Sequence, residues 1–301
     1  MLAIDLGIFN RDDHIISTKE ALTWTMVWIT FALIFNVILY FLYDHHVFGL
    51  GKNTTGLLAA SEFFTGYVIE KSLSLDNIFV IAIIFDYFKV PGRFQHRVLF
   101  WGILGALIMR GLMIAAGTAL IRNFSWTIYV FGILLLFTAV KMAIKKDTPP
   151  DIQNNPLLKL ARKIFPVSED FVGHNFFIRQ EHKLYITPLF LVLLLVEGTD
   201  VIFAVDSIPA IFGITQDPFI VFTSNICAIL GLRALYFVLA GLLTRFHYLQ
   251  MSLVAVLAYV GLKMLLHSLI NIPTWVSLAV IATLLIGGAV LSILKPKKEE
   301  N

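Results

Sequence analysis

Glu70-Lys-Ser-Leu-Ser-Leu-Asp76-Asn77 and Glu197-Gly-Thr-Asp200-Val-Ile-Phe-Ala-Val-Asp206-Ser207 stand inside long apolar runs. An aspartate at the centre of a membrane helix costs roughly 2.5–3.5 kcal/mol on insertion scales, so such groups face a bundle interior or a water-filled path. Five carboxylates in two related motifs point to a path for a cation or for protons.

The surrounding chain supports a membrane setting. Its 301 residues are 58% hydrophobic and 14% charged, whereas soluble domains average about 45–50% and 25%. Apolar runs approaching ~20 residues recur along nearly the whole length, which predicts an all-α, polytopic helical membrane protein. The short alternating segments of an outer-membrane barrel are absent. A lone cysteine, Cys227, excludes an internal disulfide and a multi-cysteine metal site and reads as a packing residue. Met1–Gly7 is apolar but lacks a basic leading region and a cleavage site, so no signal peptide is expected.

The predicted spans are 24–43, 57–88, 98–120, 126–144, 186–212, 218–243, 249–267 and 273–294. Residues 1–8 read as the stub of a further, truncated first helix, so 1–23 is a partial helix with a cytoplasmic segment. A peripheral helix and outer loop follow at 24–56, then a three-span unit at 57–144. A basic cytoplasmic loop occupies 145–185, with a short surface helix expected over Leu157–Phe165. A second three-span unit runs over 186–267, and 268–301 is the last helix with a basic tail. The 57–88 run is too long for one straight crossing, so it is tilted, interrupted or begins outside the hydrocarbon.

Charge sets the orientation. With loop 145–185 inside, the cytoplasmic regions hold sixteen Lys and Arg, and the opposite loops hold two, Lys52 and Arg122. That bias places the carboxyl terminus in the cytoplasm. The chain also repeats itself: Asp76-Asn-Ile-Phe79 aligns with Asp200-Val-Ile-Phe203 at an offset of 124, Arg110 with Arg233 at 123, and Lys141-Met142 with Lys263-Met264 at 122. Because each unit has three spans, the second enters from the opposite side, giving the inverted repeat of many secondary transporters. This alignment puts Asp76 and Asp200 in corresponding positions near the midplane.

The donors on offer are carboxylate, amide, hydroxyl and carbonyl oxygens, which suit hard cations such as Mn²⁺, Mg²⁺ and Ca²⁺. The candidate metal ligands are Glu70, Asp76, Asn77, Glu197, Asp200, Asp206 and Ser207. Glu197 and Asp200, three apart, share a helix face. Glu70 and Asp76, six apart, point about 120° from each other on a helix of ~3.6 residues per turn, so they meet at one ion only across a helix break. Ser72, Ser74, Gly198, Thr199 and Pro209 are candidates for weakening a helix there. Arg110 and Arg233 read as counter-charges for the acidic cluster, and Lys141 and Lys263 as snorkelling residues. Lys71 either pairs with Glu70 or lines the path. Glu62 and Asp86 lie towards span ends, His45-His46 is a weak loop pair, and Asn36 suggests an interhelical hydrogen bond.

The two motifs resemble the signature sequences of the TerC/Alx family of integral membrane proteins, and Asp5-Leu-Gly-Ile-Phe-Asn-Arg11 resembles that family's amino-terminal pattern. The resemblance covers nearly the whole chain. It implies a bundle of about nine spans, a bacterial inner membrane and a role in metal-ion homeostasis, with manganese efflux as the activity. Its motif acids fall on Glu70, Asp76, Glu197, Asp200 and Asp206. The expected function is therefore a divalent-cation transporter, with the metal ion as cargo and proton exchange as the natural coupling. No resident cofactor, catalytic residue or nucleic acid is expected, and the partners are the metal, the bilayer and either a second copy or another membrane protein. The alternative is a non-transporting scaffold that assists metal loading or secretion of partner proteins. A hydrolase lacks its motifs here: no His-Glu-x-x-His, Gly-x-Gly-Asp or Gly-x-Ser-x-Gly occurs.

Overall fold

Hydrocarbon offers no water to satisfy backbone N–H and C=O groups, so apolar runs must pair them internally as helices. The computed structural model describes residues 18–51, 54–144, 152, 154–180, 183–239, 247–270 and 272–294. The expected partial first helix, with Asp5, and the basic tail after 294 lie outside the described residues. The helices are α1 (Thr18–Asp44), α2 (Gly56–Tyr87), α3 (Gly92–Asn123), α4 (Thr127–Ile144), α5 (Pro156–Ile164), α6 (Pro188–Phe212), α7 (Pro218–Leu230), α8 (Leu232–Leu239), α9 (His247–Leu265) and α10 (Thr274–Leu294).

Among the described residues each predicted span falls on a helix, the 218–243 span on two. Six helical stretches among the described residues are long and apolar enough to cross a membrane, one of them 218–238, which joins α7 and α8. α2 is 32 residues long, about 48 Å at ~1.5 Å per residue, so it exceeds the ~30 Å hydrocarbon core. It is nevertheless one unbroken helix, started by Thr55, whose hydroxyl accepts the Leu58 N–H.

Packing sorts the helices into centre and rim. Of the 218–238 window 72% is buried, against 22% for the windows in α1, α4 and α10. α1 turns Met26, Leu33, Ile34, Val37 and Phe41 outward, as a lipid-facing helix does. At the centre α2 packs on α6 and α7, and α3 packs on α6. α4 lies along α9, and α10 covers α9. Association in lipid draws on close contact rather than on hydrophobic expulsion, so small residues mark the crossings. Gly132 of α4 meets Gly261 of α9 backbone to backbone: a Cβ on Gly261 would lie 2.9 Å from the Gly132 carbonyl oxygen.

α7 and α8 are separated at Gly231, which divides the predicted 218–243 span. Lys71 of α2 reaches this break and donates to the Ala228 carbonyl at 3.1 Å. Lys71 therefore caps a helix end with a positive charge instead of pairing with Glu70. A Cβ on Gly231 would lie 2.7 Å from the Lys71 Nζ.

The loop before α6 carries α5, whose Asn155 side chain accepts the Leu157 N–H and whose first residue is Pro156. It matches the expected surface helix to one residue at each end. An antiparallel hairpin of β1 (Phe177–Gln180) and β2 (Lys183–Ile186) leads into α6. This hairpin is the main departure from an all-α reading among the described residues.

The α4–α9 crossing sets a first prediction. Gly261→Val should force the two backbones apart and destabilise the folded protein by about 1–3 kcal/mol. Gly287→Ala, where an added Cβ meets nothing within 4 Å, should be near neutral. Thermal unfolding of both variants in detergent is the measurement.

Candidate cation-binding site at the bundle centre

Arg110 of α3 organises the centre of the bundle. Its Nε donates to Asp200 Oδ2 at 3.1 Å and its Nη2 to Asp200 Oδ1 at 2.8 Å, a two-point grip on one carboxylate. Its Nη1 pairs with Glu70 Oε1 of α2 and donates to Asn225 Oδ1 of α7 at 3.1 Å and Ser207 Oγ of α6 at 3.3 Å. Asn225 Nδ2 in turn donates to Glu70 Oε2 at 3.1 Å, and Asn77 Nδ2 to Asp200 Oδ1 at 3.0 Å. Glu70, Arg110 and Asp200 are 1%, 3% and 4% exposed, so the ion group is sealed from water in this conformation.

The network gathers four of the seven predicted ligands: Glu70, Asn77, Asp200 and Ser207. The other three stand apart from it. Asp76 makes no hydrogen bond or ion pair with a described residue. Because α2 continues unbroken from Glu70 through Asp76, the two carboxylates leave it on different faces, and the break that would join them is absent. Ser72 Oγ donates to the Val68 carbonyl at 2.7 Å, so the hydroxyl is satisfied on its own helix without opening it. Thr199 Oγ1 does the same on α6 with Leu195 and Val196. Glu197 lies against α3, where a Cβ on Gly105 would overlap its carboxylate. Glu197 and Asp200 thus both face α3, as their spacing predicts. Asp206 points to α4, where Thr138 Oγ1 donates to its Oδ1 at 2.8 Å.

Asp200 stands opposite Glu70, not opposite Asp76. Six residues beyond each lies a further carboxylate, Asp76 and Asp206, followed by Asn77 and Ser207, and these last two both enter the network. The geometric correspondence of α2 with α6 is therefore Glu70 with Asp200, six residues away from the alignment of Asp76 with Asp200. Arg233 does not mirror Arg110 either; its Nη1 lies 2.8 Å from His96 Nε2.

Two oxygens beside the network have no hydrogen-bond partner among the described residues: Asn77 Oδ1 and Ser74 Oγ, both buried. A buried acceptor without a donor is costly, and a cation is one group that satisfies it. No three His, Cys, Asp or Glu among the described residues are grouped so as to hold a metal ion. At the centre only two carboxylates meet, Glu70 and Asp200, and the Arg110 guanidinium binds both.

Asn225 joins the network although no motif marks it; an amide within the membrane span 218–243 carries the same signal as the acids. Other polar groups took structural roles. Lys263 Nζ donates to Ser277 of α10 at 3.0 Å and does not snorkel. Glu62 accepts from Thr215 at 2.6 Å, and exposed Asp86 pairs with Lys89. Asn36 Oδ1 finds no partner among the described residues, so the interhelical bond expected of it does not form there.

The buried ion group yields a second prediction. Arg110→Met leaves two carboxylates facing each other and should destabilise the protein by about 3–5 kcal/mol. Adding Glu70→Gln and Asp200→Asn should recover much of that loss, because the charges requiring compensation are gone. Unfolding midpoints of the single and triple variants check both statements.

Comparison with known proteins gives the chain its relatives. A family model described as "Integral membrane protein TerC family" matches residues 55–300. An uncharacterized membrane protein of Myxococcus xanthus is 46% identical over 297 residues, covering 99% of this chain and 89% of the relative. A second uncharacterized membrane protein, from Rickettsia felis, is 44% identical over 98% of this chain and 94% of its own length. The Alx protein of Escherichia coli K12, named as a proposed membrane-bound redox modulator, is 47% identical over 287 residues, 95% of this chain and 88% of the relative. No solved structure matches. With one family model covering most of its length and several relatives covering nearly all of it, the chain belongs to the TerC family of integral membrane proteins.

Proposed function

We propose that the protein is a secondary transporter of divalent metal cations in a bacterial inner membrane, with Mn²⁺ export as its activity and its carboxyl terminus in the cytoplasm. The observation that carries this reading is the buried group of Glu70, Arg110 and Asp200, with the oxygens of Asn77 and Ser74 left unpartnered beside it. Two carboxylates and one guanidinium leave this group one negative charge in excess when all are ionised. In the proposed resting state Arg110 is the built-in cation. An arriving Mn²⁺ takes Glu70 and Asp200 with neighbouring oxygens, and the guanidinium withdraws. Asp76 and Glu197, without hydrogen-bond partners among the described residues, and Asp206 serve as steps on either side.

Packing supports an inverted repeat as the frame. α2 lies on α7 as α6 lies on α3, α2 meets α6, and α4 meets α9 at two glycines. These are the contacts that a pseudo-two-fold exchange of 57–144 with 186–267 would produce. The name of the Escherichia coli relative speaks of redox modulation. A dithiol mechanism within this chain is unavailable, since Cys227 is its one cysteine.

Purified protein in liposomes should move Mn²⁺ down a gradient and move protons in the opposite sense. Glu70→Gln and Asp200→Asn should each lower the initial rate by more than about tenfold, and Asp86→Asn should leave it unchanged. If the wild-type protein moves no divalent cation under any pH gradient, the transport reading fails. If cells carrying Asp76→Asn with Asp200→Asn keep the wild-type phenotype, the scaffold takes its place.

A further inference from the structure

Helix α5 occupies a position that a surface helix in a solvated loop has no need to take. Its Leu157 side chain rests directly on Gly198 of α6, so closely that a Cβ there would overlap Leu157 Cδ1. Gly198 is ten residues past Pro188, about 15 Å along the helix at ~1.5 Å per residue. Gly198 also follows Glu197 directly, the half-buried carboxylate that lies on Gly105 of α3 and has no hydrogen bond or ion pair among the described residues. The start of α5 therefore rests on α6 beside its first carboxylate.

Its attachment is narrow. α5 packs chiefly on α6. Leu158 and Ala161 are buried in the cluster that includes Leu191, Leu195 and Val196. The opposite arc bears Lys159, Arg162 and Lys163, all exposed. Between the two, Leu160 and Ile164 remain 55% and 59% exposed. Such a division of one short helix, apolar toward protein and lipid and basic toward headgroups and water, describes an element lying at the membrane interface. Few buried contacts and one supporting helix mark a segment that opens locally at low cost.

We propose that α5 is a lid over the cytoplasmic mouth of the carboxylate path, with Leu157 as its plug. Seated on Gly198, the isobutyl group restricts the approach of water to half-buried Glu197. Lifted, it exposes Glu197 and, behind it, Asp200. Glycine at 198 is required because any side chain would hold the plug away. The proposal rests on the five acids forming a path, but its test does not require that anything be transported.

A Glu197→Cys reporter in the full chain, held in lipid nanodiscs with both faces accessible, reads the lid directly through its labelling by a charged, membrane-impermeant methanethiosulfonate. Buried Cys227 stays in place as an internal monitor of the fold. Leu157→Ala, which removes the plug, and Gly198→Ala, which pushes it off, should each raise reporter labelling about tenfold or more, with Cys227 still protected. Unchanged reporter labelling in both variants overturns the lid. So does a parallel rise at Cys227, since the bundle itself would then have loosened. A failed Mn²⁺ flux measurement is a separate result and leaves this outcome as it stands.

Discussion

One guanidinium holds this bundle's centre together. Arg110 offers five N–H donors in a rigid plane, and it spends them on acceptors from three helices: Glu70 on α2, Asp200 and Ser207 on α6, and Asn225 on α7. A lysine at the same place is a point charge with three donors and could not grip Asp200 at two oxygens while holding Glu70. Removing water from two carboxylates is tolerable only with this compensation. The packing of α2, α3, α6 and α7 follows from it, because four helices must approach closely enough to share one side chain. The burial of α7 fits the same requirement, since Asn225 must reach both Arg110 and Glu70 from its inward face.

The same interaction explains why the five acids do not form one cluster. The central pair is compensated in part by Arg110, and the remaining three are spread along the bundle on different faces. Asp76 follows Glu70 by six residues, and Asp206 follows Asp200 by six, so each helix presents one acid to the centre and turns the next away. A ring of five carboxylates around one point would repel strongly in a low-dielectric interior. A central site flanked by single acids keeps like charges apart.

The sequence was informative where the physics is local. Helix positions follow from apolar length, and the motif acids declare themselves by cost, so both were readable from residue types alone. Glu197 with Asp200 could be placed on one face because three residues is nearly one turn. Contacts across helices were harder. Ser72 and Ser74 suggested a break in α2, but Ser72 bonds back to its own helix and the chain stays helical. The observed break is at Gly231, where Lys71 from another helix takes over the Ala228 carbonyl. That substitution depends on a residue 157 positions away, and no local pattern announces it. The pairing of Asp200 with Glu70 was hidden for a similar reason: the run Asp-x-Ile-Phe is shared at positions 76 and 200, whereas the spacing of paired acids matches at 70 and 200.

The two ends of the bundle are closed by opposite chemistry. At the end away from loop 145–185, Asp217 caps α7 through the Phe219 N–H and accepts the Tyr43 hydroxyl at 2.7 Å, and Glu62 accepts Thr215 beside it. Those are polar contacts, and water can replace each partner in turn, so opening there exchanges one hydrogen bond for another at little net cost. At the loop end the seal is an isobutyl group against a glycine, backed by Leu158 and Ala161. Water offers nothing in exchange for that contact, so opening costs the burial of one side chain, a modest cost but a larger one than trading hydrogen bonds at the other end. A site between a polar closure and an apolar one is reached by water more readily from the polar side. That difference gives the bundle a direction which its repeated helices alone would not provide. It arises from a segment that lies outside both units of the proposed repeat, the loop that joins them.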